Sequence, residues 1–252
     1  MNRIGCGSFV LLASLGFLPA GCESAADTPG GTSTPVGPTA PAGVETVVMC
    51  HHSDSSSSFA PILISRSEIA AHLAHGDGRP GQLVPGQDAK FGQDCSVLPL
   101  VPVTVTFNGL SVNGAPFVAI HEFGMTVSAR SGNWEALTTY GHPAPSIIFR
   151  RLAGDPIAIA EIEITSSGVP FTFSAVDLYS SITTIPYVIT GWLGTSVEFI
   201  VSGTVPNTFG RFATVASPGP PAWINLLTIR VSNPETPCCP NPAGLDTIVL
   251  KR

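Results

Sequence analysis

Positive charge is scarce in this sequence. Lysine occurs only at Lys90 and Lys251 among 252 residues, and the formal net charge at pH 7 is −6. Proteins that bind nucleic acids need a clustered basic surface to contact phosphates, and no stretch of this chain supplies one. We therefore predict that the chain has no nucleic-acid partner.

Motifs of common enzyme classes are also missing. The sequence contains no Gly-x-Ser-x-Gly elbow, no phosphate-binding loop and no His-Glu-x-x-His pair. Glu161 and Glu163 lie on one face of a predicted strand, which resembles the Glu-x-Asp-x-x-Glu strand of jelly-roll glycoside hydrolases. The third carboxylate is absent, because residues 165–167 are Thr-Ser-Ser. Retaining hydrolysis needs both carboxyl partners, so we predict that the protein is not an enzyme and that these glutamates form a solvated or ion-binding face.

The composition favours short β-strands. Hydrophobic residues make up 44% of the chain, enough for a core, while 26 glycines and 24 prolines break it into short segments. Apolar or alternating runs, separated mostly by Gly, Pro and Asn, lie at residues 103–107, 146–149, 157–165, 171–175, 187–190, 196–202, 223–231 and 245–250. This pattern predicts a mainly β fold, with a two-sheet β-sandwich over residues 99–252.

Particular residues within these runs carry a closer resemblance. Gly-Val-Pro-Phe-Thr-Phe at 168–173 leads into Ala-Val-Asp-Leu-Tyr-Ser at 175–180, and the chain closes on Leu-Asp-Thr-Ile-Val-Leu at 245–250. This order is similar to that of secreted bacterial jelly-roll domains akin to carbohydrate-binding modules. The resemblance implies a jelly roll and a glycan or cell-envelope polymer as partner. By the same analogy, Glu122 and Asp246 are expected to share a structural Ca²⁺, whose ligands are typically carboxyl oxygens.

Three aromatic residues are candidates for contact with such a ligand. Sugars are held by aromatic planes with polar groups around them, and Trp134, Tyr140 and Trp192 lie in or near predicted loops and strand ends. Trp134 has the most polar neighbours, so we expect it to be the best exposed. The alternative is that these rings pack in the core, as we expect for Trp223 within an apolar run.

The N-terminal region has the pattern of an export signal. One basic residue, Arg3, precedes an apolar stretch that ends in small residues before Cys22, which predicts a signal peptide at 1–21. Gly21-Cys22 resembles the lipobox of bacterial lipoproteins, in which the cysteine is lipidated (palmitate being one acyl group) and becomes the mature N-terminus. This resemblance implies a membrane anchor, and Glu23 implies the outer membrane. Cleavage after residues 24–26, giving an extracellular protein, is the alternative.

Two further segments precede the sandwich. Residues 22–43 are rich in Ser, Thr, Pro, Gly and Ala, which predicts a disordered tether. Residues 44–98 predict a small α+β module: a strand at 45–50, its hairpin partner at 62–64, a capping box from Ser65 to Glu68, and a short helix that stops at Gly76.

The small module concentrates groups that bind metals. His51, His72, His75 and Asp77 lie near Cys50, and Cys95 follows. The set resembles a short Cys-His…His-Leu-x-His-Gly-Asp…Cys module found in secreted and lipid-anchored bacterial proteins. Two structures remain open: a zinc site that uses these histidines and Asp77, or a mini-domain stapled by a Cys50–Cys95 disulfide, since cysteines oxidise outside the cytoplasm. Cys238 and Cys239 form either a vicinal disulfide or two free thiols.

These observations predict a surface-displayed, non-catalytic binding protein for a glycan or cell-envelope polymer. The alternatives are a zinc-binding protein that uses the small module, or a purely structural envelope lipoprotein.

Overall fold

The computed structural model describes residues 45–53, 58–151, 157–234 and 241–252. The predicted signal peptide at 1–21, the lipidation site Cys22, the tether at 22–43 and the pair Cys238 and Cys239 lie outside the described residues. Within the described ranges, no helix has the length and apolar character needed to span a bilayer.

The described chain is mostly β-structure with one short α-helix. In chain order the elements are β1 (Thr46–His52), β2 (Phe59–Ser65), a 3-10 turn (Arg66–Glu68), α1 (Ile69–Ala74), β3 (Ala89–Phe91), β4 (Val97–Pro99), β5 (Pro102–Val105), β6 (Ala119–Glu122), β7 (Met125–Ser131), β8 (Trp134–Leu137), β9 (Ser146–Phe149), β10 (Ile157–Ser166), β11 (Thr172–Ser180), β12 (Ile185–Leu193), β13 (Ser196–Val205), β14 (Ala213–Ala216), β15 (Leu226–Pro234) and β16 (Ala243–Lys251). The predicted mainly β fold is confirmed.

Strands β5 to β16 form two facing sheets. The first has the order β13-β12-β15-β10-β7-β6, and the second has the order β14-β11-β16-β9-β8, with β5 paired to the far end of β16. Four antiparallel pairs are nested within one another: β9 with β16, β10 with β15, β11 with β14, and β12 with β13. Successive pairs alternate between the two sheets, so the chain is one long hairpin wrapped around a core. This is jelly-roll topology, and it confirms the predicted sandwich.

The core lies between the two sheets because the strands alternate. In β10, Ala160, Ile162 and Ile164 are buried, whereas Glu161 and Glu163 lie on the outward face. Each fully buried large apolar side chain stabilises the fold by about 1.5–3 kcal/mol. The same alternation that builds the core therefore presents the polar residues of the first sheet to solvent.

The last apolar run begins later than its sequence predicts. Trp223 was expected inside a strand, but β15 begins at Leu226. Pro220 and Pro221 precede the tryptophan and lack the backbone N–H that a ladder requires. The indole N–H of Trp223 instead donates to the carbonyl of Gly81, at 3.2 Å, so this residue connects the sandwich to the small module.

The small module is held together by a disulfide. Cys50 and Cys95 are bonded (S–S 2.06 Å) across a sequence separation of 45 residues, which confirms the stapled alternative for these two cysteines. The predicted hairpin forms between β1 and β2, and α1 ends where Gly76 adopts a φ of +88°. Residues 44–252 form one compact unit, and the predicted division of that unit at 98/99 stays a prediction.

Candidate functional site

A concave groove of about 440 Å³ lies on the outward face of the first sheet. Strand residues line it throughout, from β7, β10, β12 and β15: Arg130, Ser131, Glu161, Val188, Thr190, Trp192, Thr228 and Arg230. Because these residues stand on hydrogen-bonded strands, the groove is built on the rigid part of the fold.

Strand register brings the lining residues into two adjacent rows. Arg230 of β15 lies directly between Glu161 of β10 and Val188 of β12, and Thr228 lies beside Thr190. Side chains directly opposite one another on one sheet face lie about 4.5–5.5 Å apart at Cβ. Residues from four neighbouring strands, spaced about 4.8 Å apart, therefore meet on one surface about 14 Å wide.

A β-bulge aims Arg130 into the groove. In the pairing of β7 with β10, Glu161 lies opposite Ser131 and Ile162 lies opposite Ala129, so Arg130 is the extra residue. Its guanidinium lies 3.1 Å from the Glu161 carboxylate and 4.0 Å from that of Glu163. The groove consequently presents guanidinium donors and carboxylate acceptors together.

Trp192 supplies the aromatic surface of the groove. It follows Thr190 on the outward face of β12 and is half-buried. Its indole Nε1 has no exposed surface and no hydrogen-bond partner among the described residues. A ligand in the groove would therefore meet the ring carbons of Trp192 and not its N–H.

The expected exposure of Trp134 is wrong. Trp134 is only 2% exposed and packs in the core, with its ring centroid 5.8 Å from that of Phe149. Its indole N–H donates to the carbonyl of Ser131, at 3.0 Å. The polar residues before Trp134 form the tight connection from β7 to β8, and the tryptophan itself opens β8 facing inward. Trp134 is thus excluded as a ligand-binding residue.

Tyr140, the third candidate, is 44% exposed and lies outside the groove. Its ring packs edge-on near Tyr179, with centroids 6.3 Å apart. The structure therefore brings only Trp192, of the three predicted aromatic residues, to the groove.

The predicted calcium ligand Asp246 is a buried carboxyl with an unsatisfied oxygen. Asp246 is 1% exposed, and its Oδ1 has no partner within the described part of the chain. Burial raises the pKa of Asp246 to about 6, hydrogen bonds from Thr247 oppose this, and the charges of Asp177 and Glu122 raise the pKa further. A hard cation suits such a set of carboxyl oxygens. Glu122 Oε2 accepts the backbone N–H of Thr106 at 2.8 Å, and the Ca²⁺ shared by Glu122 and Asp246 stays a prediction.

In the small module, three of the four predicted metal ligands meet. Asp77 Oδ2 lies 2.8 Å from His51 Nδ1 and 2.7 Å from His72 Nδ1, and Asp77 Oδ1 accepts the backbone N–H of His52 at 2.8 Å. Burial works to raise the pKa of Asp77, but the hydrogen bonds from His51, His52 and His72 outweigh it, so the pKa lies below its ordinary value.

His75 does not join this group. It follows the last residue of α1, is exposed, and donates its backbone N–H to the carbonyl of His72, at 3.1 Å. The helix is only six residues long, so His75 lies past its end and does not share a helical face with His72. The disulfide likewise leaves Cys50 and Cys95 without a thiolate for a metal.

Sequence reasoning missed Arg130, Arg230 and the two threonines of the groove. The sequence does contain a signal for Arg230. Its neighbours Ile229 and Val231 are apolar, and successive side chains of a strand point to opposite faces, so Arg230 is expected to face outward. The bulge at Arg130 and the pairing of β10 with β15 leave no signal in a single sequence.

Comparisons with known proteins give a distant structural match. No family model matches the chain, and no curated protein matches it. Among solved structures, the chain is similar to one described as TmCBM61 in complex with β-1,4-galactotriose, at 9% identity and a TM-score of 0.32, over 52% of this chain and 90% of that chain. A likeness at this level carries no conclusion about function.

Proposed function

We propose that this protein is a surface-displayed, non-catalytic binding protein for a glycan or cell-envelope polymer. The observation that carries the proposal is the outward groove, where the ring of Trp192 lies beside guanidinium and carboxylate groups.

The chemistry of the groove suits a polyhydroxylated ligand. Sugar hydroxyls both donate and accept hydrogen bonds, and the groove offers donors at Arg130 and Arg230 and an acceptor at Glu161. Sugar rings present apolar C–H faces that pack on aromatic planes. The volume of about 440 Å³ falls within the range of about 300–1,000 Å³ typical of ligand sites.

The carboxylates favour binding over hydrolysis. Glu161 and Glu163 both lie near the guanidinium of Arg130, at 3.1 and 4.0 Å. Hydrolysis needs one carboxyl of the pair to carry a proton as general acid. Of these two carboxylates only Glu161 is among the residues that line the groove, so the groove lining lacks the carboxyl pair that hydrolysis requires.

The proposal predicts that Trp192→Ala weakens retention on the polysaccharide that the wild-type chain binds best. Loss of the ring contact should cost about 1–2 kcal/mol, a roughly tenfold weaker affinity. Affinity electrophoresis in gels containing a panel of soluble glycans and solubilised envelope polymers would measure it. The control is Phe209→Ala, which removes an exposed ring outside the groove and should leave retention unchanged. Equal retention of Trp192→Ala and wild type, or no retention of wild type on any polymer, would count against glycan binding in this groove.

Display at the surface rests on the proposed lipid anchor at Cys22. We expect the full-length chain, expressed in a bacterium, to fractionate with the outer membrane. Cys22→Ser should move it to the soluble exported fraction, because a protein without acyl chains has no membrane anchor. Immunoblots of the fractions would show this, with Cys6→Ser, within the predicted signal peptide, as the control. Soluble wild-type protein with a mature N-terminus at Asp27 would instead support cleavage after residues 24–26.

A further inference from the structure

The side chains of His51, His72 and Asp77 converge from three different segments. His51 belongs to β1, His72 to α1, and Asp77 to the connection that follows α1. Backbone hydrogen bonds tie these segments together, since Cys50 N–H donates to Gly78 O at 2.7 Å and Gly78 N–H donates to Cys50 O at 3.2 Å. The disulfide at Cys50 fixes the neighbouring position. The three segments are therefore held together by a disulfide bond and by backbone hydrogen bonds.

The carboxylate of Asp77 is held in place by a backbone hydrogen bond to the oxygen that does not contact the two imidazoles. The side chain of Asp77 has no exposed surface, and its Oδ1 is held by the backbone N–H of His52. Its Oδ2 meets both imidazoles, whose Nδ1 atoms lie 2.8 and 2.7 Å away. The side chains of His51 and His72 are 42% and 21% exposed, so the site opens to solvent on the histidine side.

We propose that His51 Nδ1, His72 Nδ1 and Asp77 Oδ2 bind one divalent transition-metal ion of the zinc class. Candidate ligand atoms of the three residues lie within 4.8 Å of one another. Two imidazole nitrogens and one carboxylate oxygen form a donor set suited to such an ion. This inference is independent of glycan binding in the groove.

The distances fit with a small adjustment. Metal–ligand bonds of about 2.0–2.1 Å place the ligands of a tetrahedral ion roughly 3.3 Å apart. The observed distances from Asp77 Oδ2 to the two Nδ1 atoms are 2.8 and 2.7 Å, so each must lengthen by about half an ångström. The two histidine side chains are partly exposed and can move by this amount. Each imidazole would bind as the neutral tautomer with its proton on Nε2. The contact from the His52 N–H to Oδ1 would orient the carboxylate, as partners of metal ligands commonly do.

The remaining coordination position would face solvent. Three protein ligands leave a tetrahedral ion one open site, which in zinc proteins is filled by water or by a ligand group. Cys50 and Cys95 cannot close it because they are bonded to each other. We therefore infer an open site, accessible to chelators and to exchange.

Isothermal titration of Zn²⁺ into the metal-stripped protein tests this proposal. The chain is exported in full length without a polyhistidine tag, and Cys238 and Cys239 are replaced by serine so that no other thiol can bind the ion. We expect one Zn²⁺ per chain. Loss of a group that only orients a metal ligand typically weakens binding ten- to a hundredfold. His51→Ala, His72→Ala and Asp77→Asn each alter a proposed ligand and should weaken binding at least a hundredfold. The matched control is His75→Ala, in the same module but outside the group, which should bind as tightly as the parent.

Absence of saturable Zn²⁺ binding by the parent chain would overturn the proposal. So would an equal loss of affinity in His75→Ala and His72→Ala, because the ion would then not distinguish the two histidines. A free-thiol count checks that each variant keeps the Cys50–Cys95 disulfide. If His72→Ala fails to fold, the Zn²⁺ affinity of His72→Gln, which keeps a polar side chain of similar length, provides the same test.

Discussion

Replacing both Cys50 and Cys95 with alanine should unfold the small module, at a cost of about 4 kcal/mol. The disulfide closes a loop across a separation of 45 residues, and a loop of that length loses roughly this much unfolded-state entropy when it is cross-linked. The apolar cluster around it is small: Cys50, Val84, Ala89, Phe91 and Cys95, with Phe59 packed against it. Few other side chains can compensate, so the bond contributes a large part of the stability of the module.

The sandwich should keep its fold in this variant. Its core is a separate and larger cluster that includes residues from both sheets, such as Ile162, Leu178 and Leu245. Hydrogen–deuterium exchange resolved by peptide would show the difference. We expect protection to fall at 45–98 and to persist in β10, β11 and β15. A matched control is the double variant Cys238→Ala and Cys239→Ala, which removes two cysteines and leaves the Cys50–Cys95 disulfide intact. Unchanged protection at 45–98 would show that the disulfide is dispensable for the module.

Features that depend on local chemistry were predictable from the sequence. The strand alternation of 160–164, the capping box and the turn at Gly76 each involve residues within a few positions of one another. The Cys50–Cys95 pair followed from the predicted export to an oxidising compartment and from the position of the two cysteines, which bracket the small module. The jelly roll followed from the order of short strands and the resemblance that those residues carry.

Features that depend on distant pairing were missed. Strands β6, β7 and β8 contain His121, Arg130 and Glu135, and this mixture hides the alternation that marks a strand. Trp134 illustrates the same difficulty, because polar neighbours in sequence do not reveal that its ring faces the core. The groove requires β10 beside β15 and β12 beside β15, and no single segment carries that information.

The His51–His72–Asp77 group lies between these two cases. Sequence proximity indicated a cluster of metal-binding side chains, including His75. Choosing among them required the three-dimensional structure, in which His75 follows the last residue of α1 and lies outside the group. Helix ends are the least certain part of a sequence-based prediction.

In calcium-free buffer, Asp246→Asn should stabilise the protein at pH 7 by about 3 kcal/mol and have little effect at pH 4. The pKa of Asp246 is raised from the ordinary value of 3.8 to about 6. Between these values the folded state holds a proton that the unfolded state has released. Stability from this group is therefore complete below about pH 4 and is lost as the pH rises through 6. The difference between the two pKa values corresponds to about 3 kcal/mol, which asparagine avoids because it does not ionise.

Urea unfolding at pH 4, 5, 6 and 7, with a chelator present, would measure this difference between the variant and the wild type. Comparing the two proteins isolates Asp246, because carboxyls with lowered pKa values, such as Asp77, lose stability in the opposite direction as pH falls. Asp177→Asn removes one neighbouring charge that raises the pKa of Asp246 and should recover only a fraction of the gain.

Added Ca²⁺ should then raise the melting temperature of the wild type at pH 7 and leave that of Asp246→Asn unchanged, because a bound cation stabilises only the ionised carboxylate. A difference that does not vary with pH would contradict the raised pKa. The absence of a calcium-dependent melting shift would reject the ion and leave the buried Asp246 as a purely structural residue.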